Sequence, residues 1–106
     1  MSENETPENP LADLDQIIHA PARLRILMML YVVESLDYVF LKNQTAMSWG
    51  NLATHLNKLE DAGYIGVKKG YQGKKPQSQI LLTPQGRTAF RNYKSTLQQV
   101  LDDLPE

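Results

Sequence analysis

One stretch of this chain marks its own limits. Leu52, Leu56 and Leu59 recur at intervals of four and three, the repeat that gathers side chains on one face of an α-helix. Ser48 stands ahead of that stripe, where its hydroxyl can accept from the free amides of a first helical turn. Gly63 stands just past it, where a chain leaving a helix wants a left-handed residue. Residues 48–62 therefore read as one amphipathic helix. The period then drops to two: Ile65 and Val67 alternate with Gly66 and Lys68, and Ile80 and Leu82 with Gln79 and Leu81. This predicts two short strands, 64–69 and 78–83. Residues 70–77 between them read as a loop too long for a tight hairpin turn.

The flanks are helical. Leu11, Leu14, Ile17 and Ile18 predict a short first helix ending near His19. Pro21 suits the first turn of a second helix, running to Glu34. Residues 26–33 of that helix are apolar all round, so it must be buried on most sides. A chain of 106 residues buries only about 65% of its unfolded surface, which leaves part of this helix for a second subunit to cover. Asp37 is placed to cap a third helix through about Lys42, with Phe40 and Leu41 facing the core. Residues 43–46 make a polar turn plugged by Met47. Thr83 and Pro84 open a last helix, cap followed by proline. Its Phe90, Tyr93, Leu97, Val100 and Leu104 form a coiled-coil-like seam. Residues 1–10 are polar, acidic and proline-containing and read as a disordered tail. Residues 11–106 form one domain.

Composition narrows the chemistry. There is no cysteine, so disulfides, thiolate metal sites and cysteine nucleophiles are excluded, and a reducing cytoplasm is the expected location. No apolar run approaches the ~20 residues that span a membrane, and the acidic start is not a secretory signal. His19 and His55 fall on different helices without a carboxylate at ligand spacing. No Walker, Rossmann or nucleophile-elbow pattern is present. The chain is not expected to be an enzyme, and nothing implies a metal or cofactor. The net charge of -1 at first argues against nucleic acid. Its distribution reverses that. Residues 1–41 carry two basic and seven acidic groups, residues 42–94 nine basic and two acidic, and residues 95–106 three acidic groups alone. A basic middle between acidic ends points to an anionic partner.

A helical pair joined by a turn and followed by a basic hairpin is the order of a winged helix-turn-helix. The second helix of such a pair can enter a major groove about 12 Å wide. Opposite the leucine stripe lie Gly50, Asn51, Thr54, Asn57, Lys58 and Asp61. Asn pairs with adenine, Thr with a base or phosphate, and Lys with guanine or phosphate. Ser48 and the amides behind it suit a phosphate, and Gly50 permits close backbone approach. Trp49 lies at the edge of the stripe, as a core lid or an exposed aromatic against sugar or a thymine methyl, with the lid preferred. His55 at the other edge reads as a half-buried hydrogen-bonding residue. The hairpin holds Lys68, Lys69, Lys74 and Lys75, with Tyr71 between the pairs and no acidic residue over 64–82. Lysines protecting an edge strand against aggregation are the ordinary alternative.

Residues 19–27 (HAPARLRIL), 50–65 (GNLATHLNKLEDAGYI) and 82–90 (LTPQGRTAF) resemble the small winged-helix transcriptional regulators close to the MarR and ArsR groups. The resemblance implies an α+β, mostly α fold: a winged helix-turn-helix with a two-stranded wing and terminal dimerisation helices. It implies DNA contacts from Ser48, Asn51, Thr54, His55 and Lys58 on the recognition helix and from the four wing lysines. Gly50 and Tyr71 join that set from the residue reading. The homodimer seam is expected to run through Phe90, Tyr93, Leu97, Val100 and Leu104, with Leu14 and Ile18 of the first helix. Metal-sensing relatives use cysteine or clustered histidine ligands, which this chain lacks. The larger relatives frame an effector pocket with extra helices, so no effector is identified here. The expected function is sequence-specific binding of double-stranded DNA by a dimeric cytoplasmic regulator. The alternatives are a winged-helix module docking an acidic protein partner and, behind it, a regulator gated by a small ligand at the dimer interface.

Overall fold

The structure is a computed structural model that describes residues 10–106. Apart from Pro10, the tail expected over residues 1–10 lies outside the described residues. Among the described residues four α-helices and three strands follow in the order α1 (Pro21–Val33), β1 (Ser35–Asp37), α2 (Tyr38–Thr45), α3 (Trp49–Asp61), β2 (Ile65–Gln72), β3 (Lys75–Leu82) and α4 (Pro84–Asp102). The sheet is antiparallel with strand order β1-β3-β2. One core joins the layers. Ile26, Leu27 and Leu30 of α1, Leu41 of α2, Leu52 and Leu59 of α3, and Ile80 of β3 are fully buried. Among the described residues, no helix is long and apolar enough to cross a membrane.

The first helix does not form. Pro10–Asp13 is a single 3-10 turn, and turns fill the stretch up to α1. Asp15 is the reason: its Oδ1 accepts from the amides of Ile17 at 2.8 Å and Ile18 at 3.3 Å. A short acidic side chain that captures nearby amides replaces the helical ladder. The apolar residues still reach their target, with Leu14 and Ile18 only 3% and 0% exposed in the chain's own core. The other Asp15 carboxylate oxygen accepts from the Tyr64 hydroxyl. That ties this segment to the junction of α3 and β2. Burial and the Asp15 carboxylate together push the Tyr64 hydroxyl pKa up to about 12.

The start signals of the helices act as read, but α2 runs on through Thr45 and takes in residues 43–45 that the sequence reads as a turn. Pro21 opens α1. Asp37 accepts from the Phe40 amide at 3.0 Å to start α2, although Phe40 itself is 47% exposed rather than core-facing. Gly63, at φ 82°, closes α3. Its amide donates to Glu60 O and that of Tyr64 to Leu59 O, both at 2.9 Å, the double bond of a Schellman turn. Thr83 caps α4 by accepting from Gly86 N at 2.9 Å.

The hairpin differs from the sequence reading. The strands run on to pair Gln72 with Lys75, so only Gly73 and Lys74 form the turn. Gly73 has φ 64°, and Lys74 is not among the residues of positive φ, the pattern of a type II′ hairpin turn. Pro76 sits opposite Tyr71, one pair from the turn. That pair is of the kind that exchanges no hydrogen bonds with β2, so the missing N–H leaves the ladder intact. β1 stops short of it, pairing only with residues 79–81.

Candidate nucleic-acid interface

α3 turns its leucines inward and leaves Ser48, Gly50, Asn51, Thr54, Asn57, Lys58 and Asp61 exposed. The Ser48 hydroxyl accepts from Asn51 N at 3.1 Å. The remaining amides of the first turn have no carbonyl behind them and face the helix approach. Thr54 donates its hydroxyl to Gly50 O at 3.0 Å, which leaves a methyl and an acceptor lone pair outward. Asn51 and Lys58 keep their full polar ends in solvent.

His55 is half-buried at the edge of this face. Its Nδ1 lies 3.1 Å from Nη1 of Arg23. A guanidinium only donates, so Nδ1 accepts and the ring's proton sits on Nε2. Arg23 is itself buried, its Nε bonded to Ile17 O at 2.6 Å. Burial, then the charges of Arg23 and Lys58, hold the His55 pKa below its usual value. The histidine is thus a neutral, oriented group, as expected of a hydrogen-bonding residue at the edge of the core.

Lys68, Lys69, Tyr71, Lys74 and Lys75 are all exposed. The ladder pairs Lys68 with Gln79, Lys69 with Ser78 and Gln72 with Lys75. Alternate residues of a strand share a face, so Lys69 and Tyr71 continue the face that buries Ile65, while Lys68 and Lys75 project from the other. The lysines therefore sheathe both sides of the wing rather than forming one patch.

Beside α3 the structure favours the second reading of Trp49 and adds a group that sequence reasoning missed. Trp49, for which the lid is the slightly preferred reading, is 52% exposed, as the alternative of an exposed aromatic has it. It stacks on Tyr38 with ring centroids 5.7 Å apart, and Lys42 Nζ lies 5.3 Å from its centroid. The signal was available: Tyr38 and Lys42 are one helical turn apart on the preceding helix. Arg25 is the added group, exposed and donating to Gln44 O at 2.6 Å near the turn that leads into α3.

A groove of about 510 Å³ lies between α1 and α4, lined by no residue of α3 or the wing. Phe90 and Tyr93, both buried in the chain's own core, line it, together with Met28, Val32, Leu97 and Leu101. Val100 turns instead toward Pro10 and Asp13. Leu104 lies beyond the end of α4. Leu101 replaces Val100 because a straight helix repeats every 3.6 residues, not 3.5. Leu14 and Ile18 offer no free surface to a partner.

A helical pair, α2 and α3, followed by an antiparallel hairpin defines a winged helix-turn-helix. A family profile described as winged helix DNA-binding domain matches residues 22–101, and the chain belongs to that family. It is similar, at 36% identity over 89 residues, to an uncharacterized protein of Methanocaldococcus jannaschii; the match covers 84% of this chain and 97% of that one. Its fold matches that of a transcriptional regulator homologue from Pyrococcus horikoshii OT3 with a TM-score of 0.82 at 24% identity, covering 92% and 100% of the two chains. It also matches a MarR-family transcriptional regulator from Silicibacter pomeroyi with a TM-score of 0.62 at 20% identity, over 89% of this chain and 62% of that one. The resemblance to MarR-type regulators is thereby met in the fold.

Proposed function

We propose that the chain is a dimeric transcriptional regulator that binds double-stranded DNA sequence-specifically. In this reading α3 lies in the major groove. The wing reaches the backbone or the adjacent minor groove. The observation that carries it is the exposure of Asn51, Thr54 and Lys58 on α3, followed directly in the chain by a hairpin with four exposed lysines on its two faces and no acidic residue over residues 64–82. Asn51 and Lys58 read base edges, Thr54 offers its methyl and acceptor, and Ser48 with the first-turn amides takes a phosphate. His55 donates from Nε2 to the backbone. Cations on both faces of the wing suit a hairpin running between two phosphate walls.

The groove between α1 and α4 is the proposed dimer surface. Its apolar wall includes the exposed part of the apolar 26–33 stretch of α1. A two-fold pair joined there would place two α3 helices in successive major grooves about 34 Å apart.

Titrating a fluorescently labelled duplex, selected from a random pool, over a range of salt tests the reading. We expect log affinity to fall linearly with log salt, with a slope of about 0.9 per phosphate neutralised. Replacing Lys68, Lys69, Lys74 and Lys75 together with alanine should flatten that slope. No binding at low salt, or an unchanged slope in the fourfold variant, would refute it.

A further inference from the structure

We propose that Trp49 is a specificity-determining contact, its exposed ring edge packing against thymine methyl and deoxyribose carbons on the wall of the major groove. The inference rests on the DNA-binding reading above and adds a residue to it. Trp49 is the first residue of α3, between the Ser48 cap and Gly50. In helix-turn-helix docking, the N-terminal residues of the recognition helix are the ones that approach base edges. The ring is already fixed in place. Tyr38 and Lys42, one turn apart on α2, both engage it, Tyr38 by stacking at an interplanar angle of 28° and Lys42 with its ammonium over the ring. Half of it nevertheless stays in water. A large apolar surface held rigid at a helix start loses little entropy on binding.

The lysine decides which partner fits. Lysine is depleted at the centres of protein–protein interfaces, where its hydration is costly to remove. Beside a phosphate backbone the same ammonium is favourable and stays solvated. An aromatic ring with a lysine over it therefore suits a wall made of apolar sugar and methyl groups edged by phosphates. Asn51 and Lys58 recognise hydrogen-bonding edges, whereas Trp49 would sense the methyl that marks thymine.

Trp49 is the chain's single tryptophan, so emission excited selectively from tryptophan reports this ring in the unaltered protein. The probe is a duplex recovered from a random pool, with binding followed independently by anisotropy of a label on the DNA. Saturation with duplex should change the emission and lower its quenching by acrylamide at least about twofold, as expected for a ring that becomes covered. Trp49→Ala should weaken binding about tenfold, the scale of one lost base contact, while leaving the salt slope unchanged because no phosphate contact is removed. Trp49→Phe should recover part of the loss. Replacing thymine by deoxyuracil in the duplex should weaken the wild-type protein more than Trp49→Ala. Thermal melts of both variants distinguish a contact from a structural role, since a ring half in solvent can be replaced without unfolding the chain. Duplex binding by anisotropy with unchanged emission and quenching, or wild-type affinity in Trp49→Ala, would overturn the inference alone and leave the ring to a protein partner. Failure to bind any duplex would overturn the DNA reading and this inference together.

Discussion

Gly86 is a position where one missing carbon sets the packing of two elements. A Cβ built there would lie 2.1 Å from the backbone oxygen of Tyr64, and that oxygen already accepts from Thr83 N at 3.1 Å. Backbone cannot swing aside as a flexible side chain can. Gly86→Ala is expected to cost roughly 3 kcal/mol, readable as a lowered midpoint in denaturant unfolding. A fall under about 0.5 kcal/mol would mean that α4 shifts freely against the junction of α3 and β2. His55 gives a pH signature. Its folded pKa is depressed, chiefly by burial and then by the positive charges of Arg23 and Lys58. The unfolded chain therefore takes up the proton first as pH falls. Stability present above the ordinary value of 6.5 is lost as pH drops through it toward the lower folded value. His55→Asn keeps an acceptor for Arg23 and removes the titration. Its unfolding free energy should vary less between pH 7 and pH 5 than that of the wild type, and an equal dependence would show that other groups govern acid unfolding.

At the scale of elements, local signals were legible and distant ones were not. α3 could be read because Ser48, its leucines and Gly63 all lie within its own length. β1 could not, because three residues become a strand only through their register with Gln79, Ile80 and Leu81 of β3, far along the chain. The wing was misjudged for a related reason. Gly70, Gly73 and Pro76 all look like breakers in a row, and only the ladder shows that Gly73 makes the turn while Pro76 occupies a position that needs no donor. The exposed polar residues of α3 followed from its period, whereas the setting of Trp49 depended on where α2 packs. The wing's turn supplies a test. Gly73 has open space around it but a φ of 64°, so Gly73→Ala strains the backbone by roughly 1–2 kcal/mol at the tip alone. Amides near Gln72 and Lys75 should exchange faster and duplex affinity should fall several-fold, while fraying of the tip relieves the strain locally and holds the fall in melting temperature to a few degrees. A large drop in melting temperature would show the tip to be coupled to the global fold.

For the whole molecule, the unresolved balance is between a closed core and an open groove. The chain extends 66 Å by 25 Å by 24 Å, with the first half of α4 anchored by buried Phe90 and Tyr93 and its last turns carrying exposed Leu101. Val32 on α1 is 80% exposed and Leu101 56%, and both line the groove. Each would contribute about 1.5–3 kcal/mol if fully covered, and a two-fold contact counts each residue twice. The double variant Val32→Glu, Leu101→Glu brings four carboxylates into that contact, an arrangement that repels its own copy. Because both sites are exposed in the single chain, helical content by circular dichroism should be preserved while sedimentation equilibrium shifts from dimer to monomer. Affinity for a duplex carrying two half-sites should then fall to that for one half-site. Ser95→Glu, an exposed change away from the groove, should leave assembly intact. A double variant that remains dimeric would remove the groove as the dimer surface, and a wild-type chain that sediments as a monomer at micromolar concentration would overturn the dimer itself.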